Sequence, residues 1–374
     1  VSFILVIFAM WFFNPFGNEQ VSASATETQI VVQVPPPTLE PEVIIPEITD
    51  IPRPTIKAAT DTISNPTDEI LPTEVNPTAD LSPVPLNPEA GKIAFSSLRN
   101  GLPQIYVMGT DGEDQIQVTE YADGACQPDW SPDGKKIVFV SPCYKKENRY
   151  PKANLFIVEL NTGIVEPLDT GLGGNYDPSW SPDGKFIAFT KEINTRTQVY
   201  MLDLESGSVI AISDGKDQTR QPSWSNDGES LIFIQTKYAD QIAVLSIVEK
   251  TSKQVTRNNG LVNSRPVMTP DEGTIYYTQS SKDQYNPRIM GIPIELGTEE
   301  IFKEYRFPEQ NYSVPLPAAD QDISPDGKWL VFESWPDGTN HDIYITSVTG
   351  QIVHRLTTEP RYDFHPSWLP NTEQ

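Results

Sequence analysis

Between residues 90 and 370 the apolar positions come in short runs with polar punctuation. Lys136-Ile137-Val138-Phe139-Val140, Phe186-Ile187-Ala188-Phe189 and Ser230-Leu231-Ile232-Phe233-Ile234 are rich in β-branched and aromatic residues, which is the composition of strands. A second run follows each of them: Asn154-Leu155-Phe156-Ile157-Val158, Gln198-Val199-Tyr200-Met201-Leu202 and Gln241-Ile242-Ala243-Val244-Leu245. Turns such as Asn161-Thr162-Gly163 and Glu205-Ser206-Gly207 then lead to a third run. No stretch in this region keeps a helical period long enough to count.

A phrase precedes each first run: Trp130-Ser131-Pro132-Asp133-Gly134-Lys135, Trp180-Ser181-Pro182-Asp183-Gly184-Lys185 and Trp224-Ser225-Asn226-Asp227-Gly228, with weaker copies at Thr269-Pro270-Asp271-Glu272-Gly273 and Ser324-Pro325-Asp326-Gly327-Lys328. From Ser131 to Ser181, Ser225, Thr269 and Ser324 the period is about 44 to 55 residues, which suits blades of four short strands. Pro presets φ, Asp bonds the backbone two residues on, and Gly takes a positive φ at little cost, so each phrase predicts a hairpin turn. Strands following the phrase begin near Lys92, Lys135, Lys185, Glu229, Thr274 and Lys328, which makes six repeats. The chain then carries one more pre-turn strand, Phe364-His365-Pro366-Ser367-Trp368. The expected fold is all-β: a six-bladed propeller whose C-terminal strand completes the first blade and leaves no exposed sheet edge.

The repeat x-Pro-x-Trp-Ser-Pro-Asp-Gly-Lys-x-Ile-x-Phe resembles the WD40-like PD40 repeat of TolB-type six-bladed β-propellers, from about Ala90 to Pro370. That resemblance implies a fold more than a role, because the repeat occurs in periplasmic TolB-type proteins, in propellers of prolyl-oligopeptidase-type peptidases and in polysaccharide-degrading enzymes.

The pre-turn strand of each repeat is the one expected to line the central channel. Its residue just before the recurring Pro is Gln127, Asp177, Gln221, Arg265, Asp320 and His365, blade by blade; Asp320 alone precedes Gln321 instead. Six convergent polar side chains, with Arg220 beside them, make the candidate ligand-binding set; the competing reading is a wet channel whose polar lining holds water. Arg220 and Arg265 would hold a carboxylate or pair with Asp177 and Asp320. Asp177, Asp320 and His365 suggest metal or acid–base chemistry in principle, but the chain has only His341, His354 and His365 and no Gly-x-Ser-x-Gly elbow. The reading therefore assigns no catalytic residue, no metal and no cofactor, and leans away from an enzyme.

Two insertions, Pro142 to Ala153 (Tyr144, Lys145, Lys146, Arg149, Tyr150) and Lys303 to Ala318 (Tyr305, Arg306, Phe307, Tyr312), combine aromatic and basic residues. That is the composition of protein-contact hot spots and equally of ordinary loop filling. Trp130, Trp180, Trp224, Trp329 and Trp368 read as packing between blades, whereas Trp335, at a hairpin turn, is expected to be exposed.

The first 90 residues differ in kind. The apolar run Phe3 to Phe13 is short for a membrane span and lacks a basic lead-in, so residues 1–13 read as a membrane anchor or signal segment, the anchor being preferred. Residues 14–90 hold 14 of the 35 prolines and 12 acidic residues against Arg53 and Lys57. Such a segment has little to bury and is expected to be a disordered acidic stalk. It carries −10 of the formal net charge of −24, leaving −14 on the rest. An acidic body repels nucleic acid. Cys126 and Cys143 flank one predicted hairpin and are placed to form a disulfide, as an exported protein allows. The functional expectation is a monomeric, extracytoplasmic, membrane-tethered binding module for an envelope protein or peptide. The alternative is a hydrolase or lyase acting on cell-surface polysaccharide.

Overall fold

The computed structural model describes residues 91–370, apart from 214, 258–259, 284–285, 295–303 and 309–313. The expectations for residues 1–90, and for Tyr312, lie outside the described residues. Among the described residues, twenty-four strands form six four-stranded antiparallel sheets. The inner strands of blades 2 to 6 are Cys126–Trp130, Gly174–Trp180, Gln218–Trp224, Leu261–Met268 and Ala318–Ile323. Blade 1 takes its inner strand, Asp363–Trp368, from the far end of the chain. It pairs with Lys92–Ser97 through Ile93↔Trp368, Ala94↔Ser367, Ser96↔Phe364 and Ser97↔Asp363. The circular closure expected from the repeat is thus the observed one.

Each repeat forms a blade because its strands alternate between two apolar faces. Ile93 and Phe95 pack toward Val331 and Ile345 of blade 6, while Ala94 between them packs toward Ile137 and Phe139 of blade 2. Every interface between neighbouring blades has its own buried cluster. Trp130, Trp180 and Trp368 are buried and Trp224 and Trp329 half-buried, in keeping with packing between blades. The Trp130 indole N–H donates to Ser367 O at 3.2 Å and that of Trp224 to Ser179 O at 3.0 Å.

The Pro-Asp-Gly phrases are turns held by their own side chains. Ser131 Oγ donates to Asp133 Oδ1 at 2.7 Å, and the Lys135 N–H donates to the same oxygen at 3.1 Å. Ser181, Ser225, Thr269 and Ser324 repeat the first bond with their aspartates. Gly134, Gly184, Gly228 and Gly327 take φ of 68° to 73°; in the weaker copy Glu272 takes this role at φ 59°.

The inner strands contain a device that the repeat did not announce. All six break register at one place, between Cys126 and Asp129 in blade 2 and at the equivalent positions elsewhere. The residue at the bulge is Gln127, Asp177, Gln221, Arg265, Asp320 or His365, each with φ between 51° and 54°. A proline follows in five cases; Pro has no N–H for a ladder, so in mid-strand it belongs at a bulge. The bulge re-aims its residue, and here it turns six side chains toward the channel axis.

Candidate functional site: a funnel with a charged floor

The funnel is a cavity of about 750 Å³, lined by all six blades. Its wall is built from the residues after each bulge and from the turns: Pro128, Pro178, Pro222, Pro266 and Pro366 in one tier, then Asp129, Ser179, Ser223, Val267, Asp322 and Ser367. The six bulge residues form its floor.

Much of the floor's bonding is spent on itself. Gln127 Nε2 donates to Asp177 Oδ1 at 2.7 Å, and the Asp177 N–H donates to Gln127 Oε1 at 2.8 Å. The Arg265 N–H donates to Gln221 Oε1 at 3.1 Å. In blades 1, 3 and 5 a hydroxyl from the second strand does this work. Ser96 accepts from the Gln127 N–H at 3.2 Å, Thr190 from the Gln221 N–H at 2.9 Å and Thr278 from the Asp320 N–H at 3.1 Å. Val140 and Ile234 occupy that second-strand position in blades 2 and 4, and these are the blades whose bulge residue is glutamine.

The charges on the floor are matched. Arg265 reaches Asp177 at 3.0 Å and Asp320 at 3.6 Å. The pairing of Arg265 with Asp177 and Asp320, one of the alternatives drawn from the sequence, is therefore present. Burial alone would raise the Asp320 pKa, but Lys146 and Arg265 outweigh it and hold the carboxyl well below the usual range. His365, 3.8 Å from Asp320, is held neutral, first by burial and then by Arg265. Arg220 does not join this set: it pairs within blade 4, with Thr236 at 2.8 Å and Asp240 at 3.1 Å.

From the opposite side the floor is met by the 142–153 connection. Lys146 crosses from blade 2 to blade 6 and contacts Asp320 at 2.8 Å and Glu333 at 2.5 Å. Arg149 holds Glu192 of blade 3 at 2.5 Å, and Tyr150 is buried against Tyr176. The connection is therefore a strap anchored on its inward side, and Tyr144 is its exposed aromatic. Cys126 and Cys143 are joined in a disulfide at its base, with a Cα–Cα separation of 6.0 Å. Trp335 is a correction: it is 8 % exposed, because the His341 ring stacks on it at 4.2 Å and Lys146 lies over its face. In the second insertion Phe307 is buried edge-on to Tyr276.

Asp129 and Asp322 were missed by a reading confined to the bulge column. Asp129 Oδ2 accepts the Trp180 N–H at 2.6 Å, and Asp322 Oδ2 accepts the Trp368 N–H at 2.7 Å. Burial pushes Asp129 up to about 7, with Asp322 adding to the effect, and pushes Asp322 up to about 6. Among the described residues no group of three or more His, Cys, Asp or Glu side chains is arranged to hold a metal ion.

A pH dependence follows. A carboxyl whose folded pKa is raised keeps a proton that the unfolded chain has already released, so its contribution is present at low pH and lost as pH rises through the folded value. Neutral His365 acts in the opposite sense below the ordinary histidine range, so the test is a difference between proteins. Asp129→Asn should raise the melting temperature more at about pH 8 than at about pH 5 relative to wild type. An equal change at both values would show that Asp129 is not desolvated.

Residues 145–300 match the family model described as the TolB beta propeller domain, PD40. TolB from Acinetobacter baumannii is similar at 24 % identity and a TM-score of 0.61, over 75 % of this chain and 67 % of that one. Putative TolB from Agrobacterium tumefaciens is similar at 20 % identity and 0.53, over 71 % and 88 %. A chain of the nidogen/laminin complex is similar at 8 % identity and 0.56, over 75 % and 98 %. No curated protein sequence matches the chain.

Proposed function

We propose that this TolB-like six-bladed propeller with PD40 repeats is a binding module that takes a peptide segment of an envelope protein into its funnel. The observation that carries the reading is the cavity itself: about 750 Å³, walled by all six blades and floored by residues bonded to one another. Proline rings, serine hydroxyls and two carboxylates give the wall both apolar surface and hydrogen-bonding groups, which suits an extended peptide. Asp177, Arg265, Asp320 and His365 serve as the polar end-stop of the site, while Gln127 and Gln221 tie the blades together. Arg220 is outside it.

The module works outside the cytoplasm, held at the membrane by residues 1–13 and spaced from it by the stalk at 14–90. The apolar run and the proline-rich acidic composition support this, as does the Cys126–Cys143 disulfide, since such bonds persist in oxidising compartments. The formal charge of −24 argues against a nucleic-acid partner. The working unit is one chain, with no cofactor.

Peptides selected from a random display library on the immobilised protein supply the test. Ser223→Tyr places a ring in the cavity and should weaken their capture by roughly tenfold or more, an amount expected for a lost central contact. Tyr238→Ala, on a hairpin at the opposite end of blade 4, should leave capture unchanged. Capture lost with Tyr238→Ala and kept with Ser223→Tyr would move the site to the other face.

A further inference from the structure

The charges of the funnel are distributed unevenly. On the floor, Asp177 and Asp320 have Arg265 and Lys146 against them. On the wall, Asp129 and Asp322 have no basic side chain within salt-bridge distance among the described residues, yet both are half-buried and line the cavity. They converge on one strand. Ser367 Oγ donates to Asp129 Oδ1 at 3.2 Å, and the next residue, Trp368, donates its N–H to Asp322.

The fold does not demand carboxylates there. Blades 3, 4 and 5 carry Ser179, Ser223 and Val267 at the same position. Removing a carboxylate from water without a counter-charge is costly, so two such groups flanking one strand leave a standing deficit of positive charge. A second observation lies two residues along that strand. His365 lines the same cavity and is 6 % exposed, and its Nδ1, closed to solvent in this ring orientation, has no hydrogen-bond partner. Its Nε2 faces Asp320, which favours the proton on Nε2 and leaves Nδ1 as an acceptor.

We propose that this corner of the funnel binds the cationic head of an arginine or lysine side chain from the incoming peptide. Asp129 and Asp322 flank the cation, and a turn of the His365 ring brings Nδ1 out to accept one of its N–H bonds. The inference rests on the peptide-binding reading above and names the feature of the peptide that is recognised. A guanidinium fits best, since its several N–H donors can serve two carboxylates and an imidazole together.

The probes are acetyl-Gly-Arg-Gly-amide and its citrulline isostere, titrated into the full chain by NMR at low salt. Citrulline keeps the shape and most donors but removes the charge. The arginine peptide should bind the wild type roughly tenfold or more tightly than the isostere, and the Asp129→Asn/Asp322→Asn variant should lose that preference, as expected for a desolvated charge pair. Asn keeps an oxygen to accept the Trp180 and Trp368 N–H groups. Should that variant not fold, the wild type must show a smaller preference at about pH 5 than at about pH 8, since burial raises both carboxyls and protonation competes with the cation. Equal affinity for the two peptides, an unchanged preference in the variant, or no binding by the wild type each overturns the proposal. So does displacement of the arginine peptide by calcium alone, which would make the corner a metal site. If Ser223→Tyr blocks capture of selected peptides while arginine and citrulline bind alike, the funnel reading survives and only the cation falls.

Discussion

Deleting residues 363–374 should yield a chain with no cooperative unfolding transition, the largest effect expected here. The segment supplies the whole inner strand of blade 1. With it go Phe364 and Trp368, both buried, from the blade 2–3 and blade 6–1 clusters. Burial of such side chains contributes about 1.5–3 kcal/mol each. The Asp322–Trp368, Asp129–Ser367 and Trp130–Ser367 bonds are lost as well. Against a total stability of roughly 5–15 kcal/mol, with the edge of Lys92–Ser97 newly open to pairing, little margin remains. Near-UV circular dichroism through a thermal ramp is the check, with and without a synthetic peptide of residues 361–370. Rescue by the added peptide would confirm that the missing strand, rather than chain length, is responsible. An unchanged transition in the deleted chain would mean that the ring holds without its closing strand.

The second large effect is on Arg265. Arg265→Met should cost about 3–5 kcal/mol, because it leaves buried Asp177 without a cation, while Asp320 keeps Lys146. Read from the sequence as a ligand-binding position, Arg265 would be replaceable with little change in melting temperature. Denaturant unfolding distinguishes the two: a midpoint close to wild type restores Arg265 to the ligand, and a large fall assigns it to the floor. Asp177→Asn/Arg265→Met should recover most of the loss, since Asp320 keeps Lys146 and Asp177 is the charge left stranded.

The blade count, the turns and the closure by the tail were legible because each rests on local chemistry that recurs in phase. Pro132, Asp133 and Gly134 specify their turn without help from the rest of the chain. The polar column was legible too, but its division of labour was not. Gln127 and Asp177 look alike as polar residues before a proline; only the neighbouring strand, with Val140 in one case and Thr190 in the other, tells which is bonded into the next blade. That signal was in the sequence, two columns compared rather than one. Lys146 could not be placed, since a strap from blade 2 meeting Asp320 and Glu333 depends on ring geometry that no repeat encodes. Trp335 was misjudged for a related reason: its cover is His341, at the far side of its own hairpin.

The hydroxyls Ser96, Thr190 and Thr278 bear on how such a ring can diversify. Where a second strand supplies the acceptor, the axial residue of that blade is released from accepting the next blade's N–H, and the three blades so equipped present His365, Asp177 and Arg265. Where the second strand is aliphatic, at Val140 and Ile234, the axial glutamine is conscripted. New chemistry can therefore enter blade 1, at His365, one codon at a time, whereas Asp177 and Arg265 remain tied to each other by charge. In blades 2 and 4 it must arrive as a coupled exchange, a threonine gained on the one strand as the glutamine is surrendered on the other.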